Sequence, residues 1–357
     1  MSINERISVF EDLPNELIYE IFAHLHSHHT FEAFHDLNQR FRNLFHSNSS
    51  PIQVNISSIS YSLFYRYLIQ IILPHTDRIQ SLRICHHFAA DMYLFLLPVM
   101  NHFSRLEILI IHDIDSTHVQ VIVDSLFSLS VLSSLVIKAI GIARDSSDIY
   151  RKIFRLPALK YCHMHINIGS LELLSPATNE FSSIEYLIIG NAISLHQLNA
   201  LLSYVPRLHR LSLGLLMSAG INSISTNSVT LHNLINVSLN IYYVSFNHFE
   251  SLVTSFFRQT QIFRFTVVSI CFHSDDMEYL DATRWEQFIS IGMPNLRIFD
   301  FQYQCCSWNA IDRQAYQTKI NEFDSVYWTD HQWFFECQYD KTQYYHNVLF
   351  YSTNPYR

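Results

Sequence analysis

Apolar positions along this chain repeat with two alternating periods. Nine times between Ile79 and Phe301 a six-residue phrase returns: an aliphatic residue, two free positions, an apolar residue, one free position, an apolar residue. It reads Ile79-Leu82-Ile84, Leu106-Leu109-Ile111, Leu132-Leu135-Ile137, Leu159-Cys162-Met164, Ile184-Leu187-Ile189, Leu208-Leu211-Leu213, Leu234-Val237-Leu239, Ile262-Phe265-Val267 and Leu296-Phe299-Phe301. The starts lie 24 to 34 residues apart. Alternation within the phrase is the period of a strand with one buried face. Between phrases the period lengthens to that of a helix, as in Leu195, Leu198, Leu202 and Val205, or Phe249, Leu252, Val253 and Phe256. Turns such as Val205-Pro206-Arg207 and Met293-Pro294-Asn295 end the helix and lead into the next strand. Each unit is read as strand, bend, helix and return. Such units stack into a solenoid with a continuous core and a large binding surface. A weaker phrase at Val54 and Ile56, 28 residues before Leu82 and Ile84, supplies a capping strand at the start.

The chain ahead of the repeats has a different pattern. Asp12, Leu13, Pro14 and Glu16 mark a helix start, with a cap, a proline in the first turn and an acid near the positive end of the dipole. Leu17, Ile18, Ile21, Phe22 and Leu25 then form one apolar stripe, and His26-Ser27-His28-His29 breaks it. A second helix is predicted through Phe31, Phe34, Leu37, Phe41, Leu44 and Phe45. Two short helices are too few for a core of their own, so contact with another protein surface is expected. At the other end, 11 of the 29 residues from Phe323 to Tyr351 are aromatic, which suits a cap over the open end of the repeats or a lid folded back on them. The expected domains are 8–48, 49–309 and 310–357.

Composition narrows the function. Apolar residues make up 49% and charged residues 15%, the balance of an ordered chain. The net charge is -8 with no basic run, which argues against nucleic acid or an anionic membrane as partner. The N-terminus shows no signal peptide and no window reaches the length of a membrane span, so a cytoplasmic or nuclear location is expected. The six cysteines lack a C-x-x-C pair and read as free thiols in a reducing compartment. No catalytic signature occurs, so an enzyme and a cofactor are not expected. His24 and His28 stand one helical turn apart, but no carboxylate or thiolate lies close enough in sequence to complete a metal site.

The repeat period and its L-x-x-L-x-L strand resemble the leucine-rich repeat, with one departure. The asparagine ladder that usually follows the strand is replaced by His87, Ile114, Ile140, Ala192 and Leu216, and Asn167 alone fits. Leu13-Pro14-Asn15-Glu16-Leu17-Ile18-Tyr19-Glu20-Ile21-Phe22-Ala23-His24-Leu25 resembles the opening of an F-box. Phe34, Leu37 and Phe41 resemble its second half, with Phe41 where the family usually has tryptophan. The order is that of F-box/leucine-rich-repeat proteins. The resemblance implies an α/β fold: a helical F-box, then a horseshoe of parallel strands and helices, then the aromatic cap. It also implies a substrate receptor of an SCF-type ubiquitin ligase. Leu13, Pro14, Leu17, Ile21, Phe22, Leu25, Phe34, Leu37 and Phe41 would contact a Skp-type adaptor, and through it a cullin-RING ligase.

The third and fifth positions of each phrase point to the concave face. There Ile108, Ile110, Val136, Tyr161, His163, Tyr186, Ile188, Arg210 and Arg264 are expected to hold the client protein, because aromatic residues and arginine dominate contact sites. The aromatic tail or a helix turn covering the same patch is the competing reading. A non-degradative repeat scaffold, with the N-terminal helices as its cap, is the alternative function. The exposure of Leu17, Ile21, Phe22 and Leu25 separates the two.

Overall fold

The computed structural model describes residues 10–25, 27–47, 51–57, 59–85, 89–143, 146–168, 175–177, 181–217, 231–270, 277–308, 311–342 and 345–353. The fold is mixed α/β, and the chain divides into two units, Met1–Ala139 and Ile140–Arg357. The expected domain limits at 8, 48/49 and 309/310 lie outside the described residues.

The first unit begins with three helices: α1 (Asn15–His24), α2 (Ser27–Phe34) and α3 (Gln39–Ser47). The single helix predicted from Phe31 to Phe45 is therefore two. The Asn38 side chain accepts the Phe41 N–H at 3.1 Å and its carbonyl accepts the Arg42 N–H at 3.2 Å, which starts a new helix there. At α1 the cap position is Pro14, which makes no side-chain cap, and Asp12 belongs to a preceding 3-10 turn. Arg40 fastens this end without capping it, because a guanidinium only donates. Its guanidinium donates to the Leu13 carbonyl at 2.6 Å, to Asn15 Oδ1 at 2.7 Å and to the Glu11 carbonyl, tying α3 to the start of α1. Inside, Ile18, Phe22, Phe31, Phe41 and Phe45 are buried, with the Phe34 ring tilted 5.3 Å from Phe22 and 5.6 Å from Phe41.

These helices dock on the first strand–helix units. Strands β1 (Ile52–Asn55), β2 (Ile79–Cys85), β3 (Ile108–Asp115) and β4 (Ser134–Ala143) lie side by side in sequence order. Helices α4 (Tyr61–Tyr67), α5 (Ala89–Leu96) and α6 (Val119–Ser125) alternate with them. Val54 pairs with Leu82 in parallel register, so the weak early phrase is a strand of the same ladder. Phe31 packs 5.4 Å from Tyr67, whose hydroxyl donates to Ser27 Oγ at 2.7 Å. Ser27 in turn donates to the Gln53 carbonyl on β1, which covers that edge. Arg66 of α4 meets Asp36 at 2.6 Å.

The second unit continues the parallel ladder. Its strands are β5 (Tyr161–Ile168), β6 (Tyr186–Ser194), β7 (Arg210–Met217), β8 (Asn236–Tyr242), β9 (Ile262–Ile270) and β10 (Ile298–Ser307), all parallel. Helix α7 (Ser146–Phe154) precedes β5, α8 (Leu195–Tyr204) lies between β6 and β7, α9 (Phe246–Phe256) between β8 and β9, and α10 (Ala282–Gly292) between β9 and β10; among the described residues no helix separates β5 from β6 or β7 from β8. Lateral pairing corrects one phrase. Asn236 pairs with Ile262 and Ile298 also pairs with Ile262, so the eighth phrase starts at Thr260, two residues before Ile262. Thr260 is fully buried, at 0% exposure, in a place where the other phrases have leucine or isoleucine.

After α11 (Arg313–Asn321) and α12 (Val326–Asp330), a hairpin of β11 (Phe335–Lys341) and β12 (His346–Ser352) pairs antiparallel with β10. The aromatic block packs against the core rings here. Trp328 lies 5.9 Å from Phe299, Phe350 5.7 Å from Phe301, and Phe335 5.1 Å from Phe350. Cysteines Cys85, Cys162, Cys306 and Cys337 are free, whereas Cys305 is disulfide-bonded. The expectation of free thiols throughout is therefore corrected at Cys305, and Cys271 lies outside the described residues.

Candidate functional site

The N-terminal helices divide their apolar side chains between two faces. On α1, Ile18 and Phe22, one turn apart, point inward at 0% and 8% exposure. Leu17 is 45% exposed and Leu25, just past the helix end, 39%. Ile21 and Leu13 are half-buried between the two faces, and Pro14 is exposed. From the second half of the motif, Leu37 is 53% exposed, Phe34 is half-buried, and Phe41 is a core residue at 0%. The nine residues expected to meet an adaptor thus separate into an outer set, Pro14, Leu17, Leu25 and Leu37, an inner pair, Phe22 and Phe41, that holds the helices together, and three half-buried residues, Leu13, Ile21 and Phe34. Phe10, 38% exposed and stacked 5.5 Å from Phe34, was missed because it precedes the periodic stripe.

Beside this surface the charges are paired. The His35 hydrogen bond at 2.9 Å, with Arg66 and Arg42 nearby, holds the Asp36 carboxyl below its usual range. On the inner side, His46 and His75 share a 2.8 Å hydrogen bond, and Arg78 donates to the His46 carbonyl at 3.1 Å. Burial first, then the neighbouring positive groups, pushes both imidazoles below the ordinary histidine value.

The nine residues expected to meet a client fall in separate units. In the first unit Ile108 is 36% exposed, Ile110 half-buried and Val136 buried at 8%. In the second, Tyr161, His163 and Ile188 are half-buried, Tyr186 is 42% exposed and Arg210 is exposed. Parallel register places Tyr161, Tyr186 and Arg210 in one lateral row and His163 and Ile188 in the next. The Tyr186 ring lies 6.5 Å from His209 and nearly parallel to it. Arg264, half-buried, reaches Asn236 Oδ1 at 3.5 Å and has Asp300 as its lateral neighbour.

His24 is exposed while His28 is buried, so the two share no face. Among the described residues no three histidine, cysteine or acidic side chains converge as metal ligands, and no helix is long and apolar enough to cross a membrane. No protein-family model matches the chain, and no curated protein matches it.

Proposed function

We propose that this chain is the substrate receptor of an SCF-type ubiquitin ligase. In this reading α1–α3 are an F-box that docks on a Skp-type adaptor, and the strand–helix units are leucine-rich repeats that hold a client protein. It acts in the cytoplasm or nucleus. The observation that carries the proposal is the outward Leu17, Leu25 and Leu37 on a helical head whose own packing is already satisfied by Ile18, Phe22, Phe31, Phe41 and Phe45. Large apolar side chains left outside a completed core mark a contact surface. Each of the three leucines contributes about 1–1.5 kcal/mol on burying its open half. A micromolar complex needs about 8 kcal/mol, so Phe10, Pro14, Ile21 and Phe34 must join the interface. Ubiquitin transfer itself belongs to partner enzymes, and this chain supplies proximity and orientation.

A second reading has its own support. The head is fastened to the first repeats through Phe31–Tyr67, Arg66–Asp36 and His46–His75, as the cap of a non-degradative scaffold would be. The two readings differ only in the outer face. Co-purification with a Skp-type adaptor tests them. The wild-type chain is expected to retain the adaptor and Leu17→Asp/Leu37→Asp to lose it while staying folded. A folded wild-type chain that retains none would favour the scaffold.

A further inference from the structure

A cationic row on β2, β3 and β4 borders Ile108 and Ile110 of the expected client surface. Leu82, Ile84, Leu109 and Ile111 are buried, which turns Arg83 and Cys85 of β2 and His112 of β3 to the opposite, open face. Cys85 and His112 are lateral partners in the parallel ladder, and Lys138 stands on β4 beyond them. Burial first, then the positive charges of Lys138 and Arg83, lowers the pKa of His112, with Asp113 opposing. Arg83 donates its Nε–H to Cys85 Sγ at 3.5 Å. Among the described residues neither the terminal guanidinium nitrogens of Arg83 nor the Lys138 ammonium has a protein partner. In a chain of net charge -8, two uncompensated cations on one face are a local reversal of sign. Ile108 and Ile110 lie on the same face, with Ile110 one pleat, or about 6.6 Å, along β3 from His112.

The geometry separates the cations. The contact to Cys85 keeps Arg83 leaning along its own strand, and Lys138 stands on β4, whose backbone lies two strands from β2, about 9.6 Å across the ladder. One phosphoryl group held by both would require Arg83 to leave Cys85. A segment in the polyproline conformation repeats its side-chain direction every third residue, about 9.3 Å along its axis. That repeat is close to the spacing of the two strands that carry the cations.

We infer that this face of the first unit binds an extended acidic segment of a client, with carboxylates at positions i and i+3. One carboxylate meets the Arg83 fork, the other meets Lys138, and an intervening apolar side chain lies over Ile110. The inference deepens the receptor reading and rests on it for the identity of the occupant as a client.

The test uses the full chain without an adaptor, so it succeeds or fails independently of adaptor binding. Fluorescence anisotropy would follow a labelled peptide with aspartates at i and i+3 around a Pro-Leu pair. The same peptide with asparagines, and one carrying a single phosphoserine instead, would be measured beside it. The aspartate peptide is expected to bind about tenfold tighter than the asparagine peptide at low salt. That preference should vanish in Arg83→Gln/Lys138→Gln and survive in Lys138→Arg. In the native chain, raising the salt to 0.5 M, about the range where exposed ion pairs are screened, should abolish the preference, a readout that needs no variant. Equal binding of the aspartate and asparagine peptides, a preference unchanged by the double variant or by salt, or tighter binding of the phosphoserine peptide would each overturn the inference.

Discussion

At Thr260 a hydroxyl occupies the first position of a strand phrase, fully buried, and its Oγ1 has no hydrogen-bond partner. A buried unsatisfied hydroxyl costs about 1–3 kcal/mol. Thr260→Val keeps the shape and removes the orphan, so it should raise stability by about 1 kcal/mol in urea unfolding; a loss would contradict the packing described. The same residue explains where the sequence reading slipped. Threonine does not register as apolar, so the eighth phrase was read from Ile262. A slip of two residues preserves the alternation, and the faces assigned to Arg264 and Phe265 stay correct. Gly214 is the opposite case. A Cβ there would stand 2.3 Å from the Gly190 carbonyl oxygen, where the backbones of β6 and β7 approach. Gly214→Ala should cost about 1–3 kcal/mol by the same measurement. No pattern of apolar positions carries that signal.

Elements of the repeats were legible because period and length agree: each phrase became a strand and each helical stretch between Tyr61 and Gly292 a helix. The head was legible only in part. Its apolar stripe runs unbroken through Phe34, Leu37 and Phe41, and only the cap formed by Asn38 divides it into α2 and α3. Nor does a broad stripe say which edge packs inward, so Phe22 and Leu17 looked equivalent although they face opposite ways. Asn38→Ala should loosen α3 by about 1 kcal/mol, visible as faster amide exchange in 39–47. The docking of α3 on the chain near His75 is pH-dependent. His46 and His75 both have folded pKa values below the ordinary 6.5, so the unfolded or undocked state takes up more protons between those values. Stability from this contact is present above pH 6.5 and falls as the pH drops through the lowered values. His35, Arg42 and Arg78 add to the effect, and Asp77 opposes it. Amide exchange of α3 at pH 7.5 and 5.5 should therefore show greater opening at the lower pH, and His75→Gln should flatten the difference.

For the molecule as a whole, two kinds of surface follow from one chain. The helical head places leucines outside a finished core, and the strands place isoleucines, tyrosines and arginines on an open face. The period of the repeats predicts the stacking of strand–helix units. The partners depend on which side chains remain exposed, and exposure is set by tertiary packing. The most direct measurement is the affinity of the full chain for a purified Skp-type adaptor by calorimetry, beside Leu17→Asp/Leu37→Asp. The account predicts micromolar or tighter binding by the wild type and at least a tenfold loss in the folded variant. A folded wild-type chain with no heat of binding, or a variant that binds as tightly as the wild type, would contradict it.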